Sequence, residues 1–517
     1  MEVLTKARRW TALATLCLAV SLIAIDGTVL HLAVPRLTEA LLPTSTQILW
    51  IADIYPFVLG GLLITAGNAG DRFGRKRVLL IGVLAFGLAS LATAYAPTPE
   101  MLIAARALLG VAGATIMPST LSIIRNVFTD PRERTTAIGL WSSVTTASAA
   151  AGPVIGGLLL DRFWWGSVFL INVPVMALVL VAAVFTLPES RNPAAGPLDA
   201  FSVLTSVTGV VGVIYAIKEA AHGGLAQPGV GIAALAGAGG LLLFLRRQTR
   251  LAHPLIDVRL FRHRSFSAAV GGDVVAVFAL IGTLFFLSLY LQLVLGWTPL
   301  QAGLAQLPAM VASMLAALLA ARFVARWGRA AAISTGLGMC AASLVTLALL
   351  PPSDGYPVVL GSLFLMGVGA GLSFTVTADT VLATVPKERA GAASAIAETA
   401  YELGAALGIA IIGSVLGGLY RNNLDLPAGL PPEAAAAARD SIGAAVHAAA
   451  ALPAHLADAV TAAASGAYVD AVNITALACG GLVAVVAVSA LYTLRGVAAV
   501  IEEPDPEKET AHESAAH

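Results

Sequence analysis

The chain has 517 residues, of which 58% are hydrophobic and 12% charged, with a mean hydropathy of +0.86. Soluble proteins carry roughly 25% charged residues, so this balance excludes a string of soluble domains and predicts an all-α polytopic membrane protein. Thirty basic and thirty acidic side chains cancel, and no nucleic-acid partner, metal or cofactor is expected. Cys17, Cys340 and Cys479 sit apart in apolar runs, where packing is their expected role.

Apolar windows long enough to span a bilayer, about 20 residues, occur fourteen times. They fall at 10–34, 47–67, 77–96, 100–124, 135–160, 166–187, 200–219, 229–245, 266–293, 299–321, 330–350, 356–382, 391–419 and 471–495. The first follows Lys6, Arg8 and Arg9 like a signal peptide but has no clear cleavage site, so it reads as a retained helix. Arginine clusters at 72–77, 125–134, 246–264 and 322–329 lie in alternate loops, which predicts both termini on the cytoplasmic side.

Asp26, Asp53, Glu398 and Glu402 interrupt these windows, with Asp273 and Asp379 as weaker cases. A charge at the bilayer centre costs about 2.5–3.5 kcal/mol on insertion scales, so such residues usually face an internal cavity. In the first window Asp26 stands in Ile25-Asp26-Gly27-Thr28-Val29-Leu30-His31, and in the second Asp53 stands in Trp50-Ile51-Ala52-Asp53-Ile54-Tyr55. Asp53 lies about two turns from the outer surface and suits cation recruitment. His31 reads as hydrogen-bonded or outward-facing, with a titrating role as the other option.

The second window ends in Gly67-Asn68-Ala69-Gly70-Asp71-Arg72-Phe73-Gly74-Arg75-Lys76-Arg77. Its glycines permit a tight turn, and Asp71 can accept hydrogen bonds from a helix N-terminus or a neighbouring arginine. A gate is expected here, formed by Gly67, Asp71, Arg72, Gly74 and Arg75. Arg106, alone in the fourth window, needs a carboxylate partner, and Asp26 is the candidate. The fifth window carries Gly152-Pro153-Val154-Ile155-Gly156-Gly157; Pro153 frees a carbonyl and bends the helix, and the glycines let helices cross closely.

Asp273 in the ninth window reads as a second substrate acid or a partly solvated residue. Asp379 in the twelfth is expected to pair with Lys387 or Arg389. In the thirteenth, Glu398 and Glu402 stand one turn apart and share a face. Two close carboxylates in a low dielectric cannot easily both ionise, so the pair can hold a proton and yield it to a cation. Trp50, Tyr55, Tyr290 and Tyr401 could offer cation–π faces. Residues 420–470 form an outer loop that reads either as two short helices or as a mobile linker, and the acidic tail 502–517 reads as disordered.

Asp71-Arg72-Phe73-Gly74-Arg75 returns as Ala325-Arg326-Trp327-Gly328-Arg329, and Pro131-Arg132-Glu133-Arg134 as Pro386-Lys387-Glu388-Arg389, both about 255 positions later. The chain thus reads as two six-helix halves, 1–190 and 263–501, with two inserted helices in 191–262. The 67–77 loop, the Arg106 helix, the Gly152–Gly157 run and the Glu398/Glu402 helix resemble those of the fourteen-helix drug:proton antiporters of the major facilitator superfamily, nearest to the multidrug and quaternary-ammonium exporters.

That resemblance implies a proton-coupled efflux antiporter, not an enzyme, in a bacterial inner membrane. It implies lipophilic cations as cargo and a monomer as the working unit. Asp26, Arg106, Glu398 and Glu402 would couple protons, and Asp53, Trp50, Tyr55, Asp273, Tyr290 and Tyr401 would bind substrate. Two alternatives stay open: an exporter of a neutral or endogenous product on the same fold, and a non-transporting receptor. No GxxxxGK[ST] loop is present, so an ion gradient must drive transport.

Overall fold

The computed structural model describes residues 5–43, 45–192, 199–223, 228–251, 254–351, 355–385 and 390–494. Among these the secondary structure is helical and contains no strand. The N-terminal part comprises α1 (Lys6–Leu41), α2 (Ser45–Phe73), α3 (Arg75–Ala94), α4 (Pro99–Val127), α5 (Pro131–Arg162), α6 (Ser167–Leu170) and α7 (Asn172–Thr186). Next come α8 (Ala200–Gly223) and α9 (Pro228–Gln248). The C-terminal part comprises α10 (Arg264–Leu289), α11 (Pro299–Leu304), α12 (Leu307–Leu347), α13 (Tyr356–Ala383), α14 (Ala390–Leu407), α15 (Gly413–Asn423), α16 (Pro432–Asp440), α17 (Ile442–Ala449) and α18 (Ala454–Thr493).

Each of the fourteen apolar windows falls on helix. Among the described residues, eleven helices are long and apolar enough to cross a membrane. One of them covers the tenth and eleventh windows together, because α12 runs through a break at Gly328, where φ is 83° and ψ 170°. Gly74, the matching residue of the repeat, also has positive φ, 109°. Only glycine takes this conformation without strain, so the repeat is visible in backbone geometry as well as in sequence.

The outer loop is shorter than the sequence suggested. α18 begins at Ala454 rather than 471, since the Ala-rich stretch before the last apolar window is helical too. Between Asn423 and Ala454 lie α16 and α17, and α17 buries Ile442, Ala445 and Ala449 in the C-terminal core. The tail 502–517 lies outside the described residues.

Small residues set the close contacts. α8 and α9 form a hairpin in which Gly209 and Gly212 meet Gly237 and Gly240 backbone to backbone. Its base is tied by Arg247, whose Nε donates to Asp199 at 2.5 Å. The Arg247 guanidinium and the Ser202 hydroxyl hold the Asp199 carboxyl well below the usual carboxylate range. α8 rests on α2, with Val207 and Val211 against Gly61. α2 in turn packs on α14, and α5 on α12 and α13. A cavity lies between these paired faces.

Candidate functional site

The cavity has a volume of about 590 Å³ and draws its walls from both parts of the chain. Gly27 and Thr28 of α1, Tyr55 of α2, Arg106 of α4 and Trp141 of α5 line one side. Asp273 of α10, Met310 of α12, Phe374 of α13 and Glu398, Tyr401 and Glu402 of α14 line the other. The lining is mainly apolar with a few converging acids, the usual composition of a small-molecule site.

The acids lie on the α10–α14 wall. Glu398 is 6% exposed and stands one helical turn from Glu402. Asp273 is equally buried and accepts a hydrogen bond from Thr377 Oγ1 at 3.1 Å. Beside them the Tyr401 ring packs on Phe374, with centroids 5.9 Å apart. The helical register of α14 continues into a π-helical turn, Gly408–Ile412, against Phe278 of α10. Such turns recur at functional sites.

Across the cavity, Asp26 Oδ2 lies 3.7 Å from Arg106 Nη1, and both side chains are almost fully buried. Arg106 sits over the Tyr55 ring at 5.3 Å and the Phe169 ring at 5.8 Å. Asp26 Oδ1 accepts from Asn172 Nδ2 at 3.2 Å, and the same amide donates to Ser90 Oγ. The pair is therefore held from α1, α3, α4 and α7 at once. Asp26 itself stands behind the lining, while Arg106 reaches it.

Ionic contacts close the arginine-rich end of the bundle. Asp71 Oδ1 accepts from Arg75 Nη2 at 2.7 Å and from the backbone N–H of Gly391 at 3.0 Å; Oδ2 accepts from that of Ala392 at 3.1 Å. The carboxylate thus meets the N-terminus of α14, where exposed amides and the helix dipole favour negative charge. Gly67 and Gly391 cross so closely that a Cβ on either would strike the other's carbonyl. Arg72 lies over the Phe73 ring.

The second copy of the motif has Ala325 where the first has Asp71, and Arg329 turns to another acid. Asp379 Oδ2 accepts from Arg329 Nη2 at 2.7 Å, and its Oδ1 accepts from Arg134 Nε at 2.6 Å. The expected pairing with Lys387 or Arg389 falls on residues outside those described. Arg134 comes from α5, so the contact joins the two parts of the chain.

At the proline of α5, the carbonyl of Ala149 has no N–H donor four residues on. Thr28 Oγ1 of α1 donates to it at 2.8 Å. Gly152 leaves room for that hydroxyl. Gly156 is buried in α5, and Gly157 has open space beside it. The side chains of Asp53, Pro153 and His31 lie outside the described residues.

Two of the four aromatics singled out lie away from the cavity. Trp50 is 42% exposed and does not line the cavity. Tyr290 is wholly buried in the C-terminal core, and its hydroxyl donates to the Pro351 carbonyl at 3.0 Å. Conversely, Asn172, Thr377 and Arg134 hold the charged groups, Thr28 holds the Ala149 carbonyl, and none of the four was singled out as a site residue. Arg134 stood out only as one of a cluster of loop arginines.

Comparison with known proteins fits this geometry. A family model described as Major Facilitator Superfamily matches residues 16–409. The multidrug efflux pump LfrA of Mycolicibacterium smegmatis is 44% identical over 441 residues, 85% of this chain and 87% of that protein. The methyl viologen resistance protein SmvA of Salmonella typhimurium is 38% identical over 439 residues, 85% of this chain and 89% of that one. Among solved structures, the human organic anion transporter MFSD10 aligns with a TM-score of 0.60 at 14% identity, covering 95% of this chain and all of that one. That last likeness speaks for the fold alone.

Proposed function

This chain belongs to the Major Facilitator Superfamily, and on that footing we propose that it is a proton-coupled efflux antiporter for lipophilic cations. The relatives named as efflux and resistance proteins support drug export. The observation that carries the finer reading is the meeting of Asp273, Glu398 and Glu402 with Tyr55, Phe374 and Tyr401 around one apolar cavity. Carboxylates provide the charge and aromatic faces the cation–π surface that a hydrophobic cation requires.

The cycle is a competition. In the form closed by Asp71 and Asp379, read as outward-facing, Glu398, Glu402 or Asp26 takes a proton from the outer side. In the inward-facing form a cation entering from the cytoplasm or inner leaflet displaces it. Either occupant neutralises the wall, which lets the halves, 1–190 and 263–501, rock about the site. Both termini are then cytoplasmic, in a bacterial inner membrane, and one chain is the working unit. An elementary charge crossing 100 mV supplies about 2.3 kcal/mol, or roughly fifty-fold concentration.

The test is proton release from purified protein on adding ethidium or a quaternary ammonium. Wild type should release protons, and Glu398→Gln should lose that release while remaining folded. Unchanged release in the variant would remove Glu398 from the mechanism. An active wild type that releases none would favour export of a neutral product.

A further inference from the structure

We infer that Asn172 is a positioning residue for Asp26, an amide that can serve the carboxyl in both of its protonation states. Asn172 opens α7 and is 1% exposed. Its Nδ2 lies 3.2 Å from Asp26 Oδ1 and 3.1 Å from Ser90 Oγ, and its Oδ1 has no hydrogen-bond partner among the described residues. An ionised carboxyl needs a donor and a protonated one needs an acceptor. A side-chain amide carries both on one planar group, and a half-turn exchanges them. A hydrophobic residue could satisfy neither state, and a charged one would compete with Arg106.

The surroundings leave this task to Asn172. Among the described residues, the charged and titratable groups facing Asp26 are Arg106 of α4 and Tyr55 of α2. Among the described residues, the hydrogen bond that it receives from α3, α5, α6 and α7 is that of the neutral Asn172. Arg106 stabilises only the carboxylate, so a proton arriving on Asp26 Oδ1 finds an acceptor in the Asn172 amide once that group has turned. The Ser90 hydroxyl, which can donate or accept, follows the turn of the amide. Proton entry would then be felt across α1, α3 and α7 together.

This inference rests on the reading of Asp26 as a proton-exchanging group. The experiment uses the full-length protein in proteoliposomes and measures ethidium-driven proton release across pH for wild type, Asn172→Leu, Asn172→Ser, Asp26→Asn and the double variant Asp26→Asn/Asn172→Leu. Asn172→Leu removes the hydrogen bond of both states, and the bond to the charged form is the stronger of the two, so the midpoint should move about one pH unit upward. Asn172→Ser keeps one group that donates and accepts and should stay near wild type. In the Asp26→Asn background the leucine should add no shift.

A profile that falls in amplitude without moving would show a packing role and overturn the inference, as would a shift that persists without Asp26. Infrared pH titration of the wild type gives a second readout that requires no variant to fold. Protonation of Asp26 should perturb the Asn172 amide band, and an unmoved band overturns the contact. A wild type that releases no protons on ethidium would sink the antiport reading instead, leaving the infrared test intact.

Discussion

At the residue scale, the sharpest asymmetry lies in what each acid would leave behind if neutralised. Asp379 is shared by Arg134 and Arg329, each with a side chain 3% exposed or less. Asp379→Asn would strand two buried guanidinium groups, and breaking a buried pair costs about 3–5 kcal/mol. A large fall in thermal unfolding temperature is expected, against a smaller one for Asp71→Asn. Asp71 also accepts backbone N–H bonds, of which an amide oxygen can keep one. Scanning fluorimetry in detergent decides it; equal losses would mean that the Arg134–Asp379–Arg329 cluster is not the tighter clamp.

What the sequence disclosed follows from the same physics. Arg106 is a lone charge in an apolar helix and announces that it has a counterion, so Asp26 could be named. Arg134 and Arg329 sit in loop clusters where topology alone accounts for positive charge, so their pairing was hidden. Asn172 and Thr28 are uncharged polar residues in apolar runs, which insertion tolerates and sequence therefore does not flag. Trp50 and Tyr290 were singled out by residue type without a face, and neither faces the cavity.

At the element scale, function depends on how closely helices can cross. Gly67 of α2 and Gly391 of α14 touch through their backbones, so Gly67→Leu must force that crossing apart. The variant should remain folded, lose export and expose the α2–α14 seam to thiol reagents at a cysteine introduced there. A seam that stays protected would argue against a contact essential to closure. Gly152→Val acts on the α1–α5 crossing, where the new side chain would displace the Thr28 hydroxyl from the Ala149 carbonyl.

The α8–α9 hairpin offers a test by pH. Asp199 is held below its ordinary range by Arg247 and Ser202, so its contribution to stability is present above the unfolded carboxylate range and is lost as pH falls through the folded one. Asp199→Asn should unfold earlier than wild type near neutrality, and the difference should shrink steadily on acidification. The pair is partly exposed, so the gap should also narrow in salt. A gap independent of pH would mean that the ion pair does not hold the hairpin base.

At the scale of the whole molecule, the two closing contacts join different helix pairs. Asp71 links α2 to α14, and Asp379 links α5 to α13, so together they hold both seams of the arginine-rich end. A hydrogen bond to a charged group is worth about 1.5–3 kcal/mol, and each 1.4 kcal/mol shifts a two-state equilibrium tenfold. Each single neutralisation should then move the open population at that end by roughly ten- to a hundred-fold. The double variant should combine the two shifts nearly additively, because the sites share no partner among the described residues. Spin labels placed across α2 and α14 and across α5 and α13 would report this as growth of a longer distance. If opening one seam leaves the other closed, the halves do not move as rigid bodies, and the rocking cycle must give way to helix-by-helix gating.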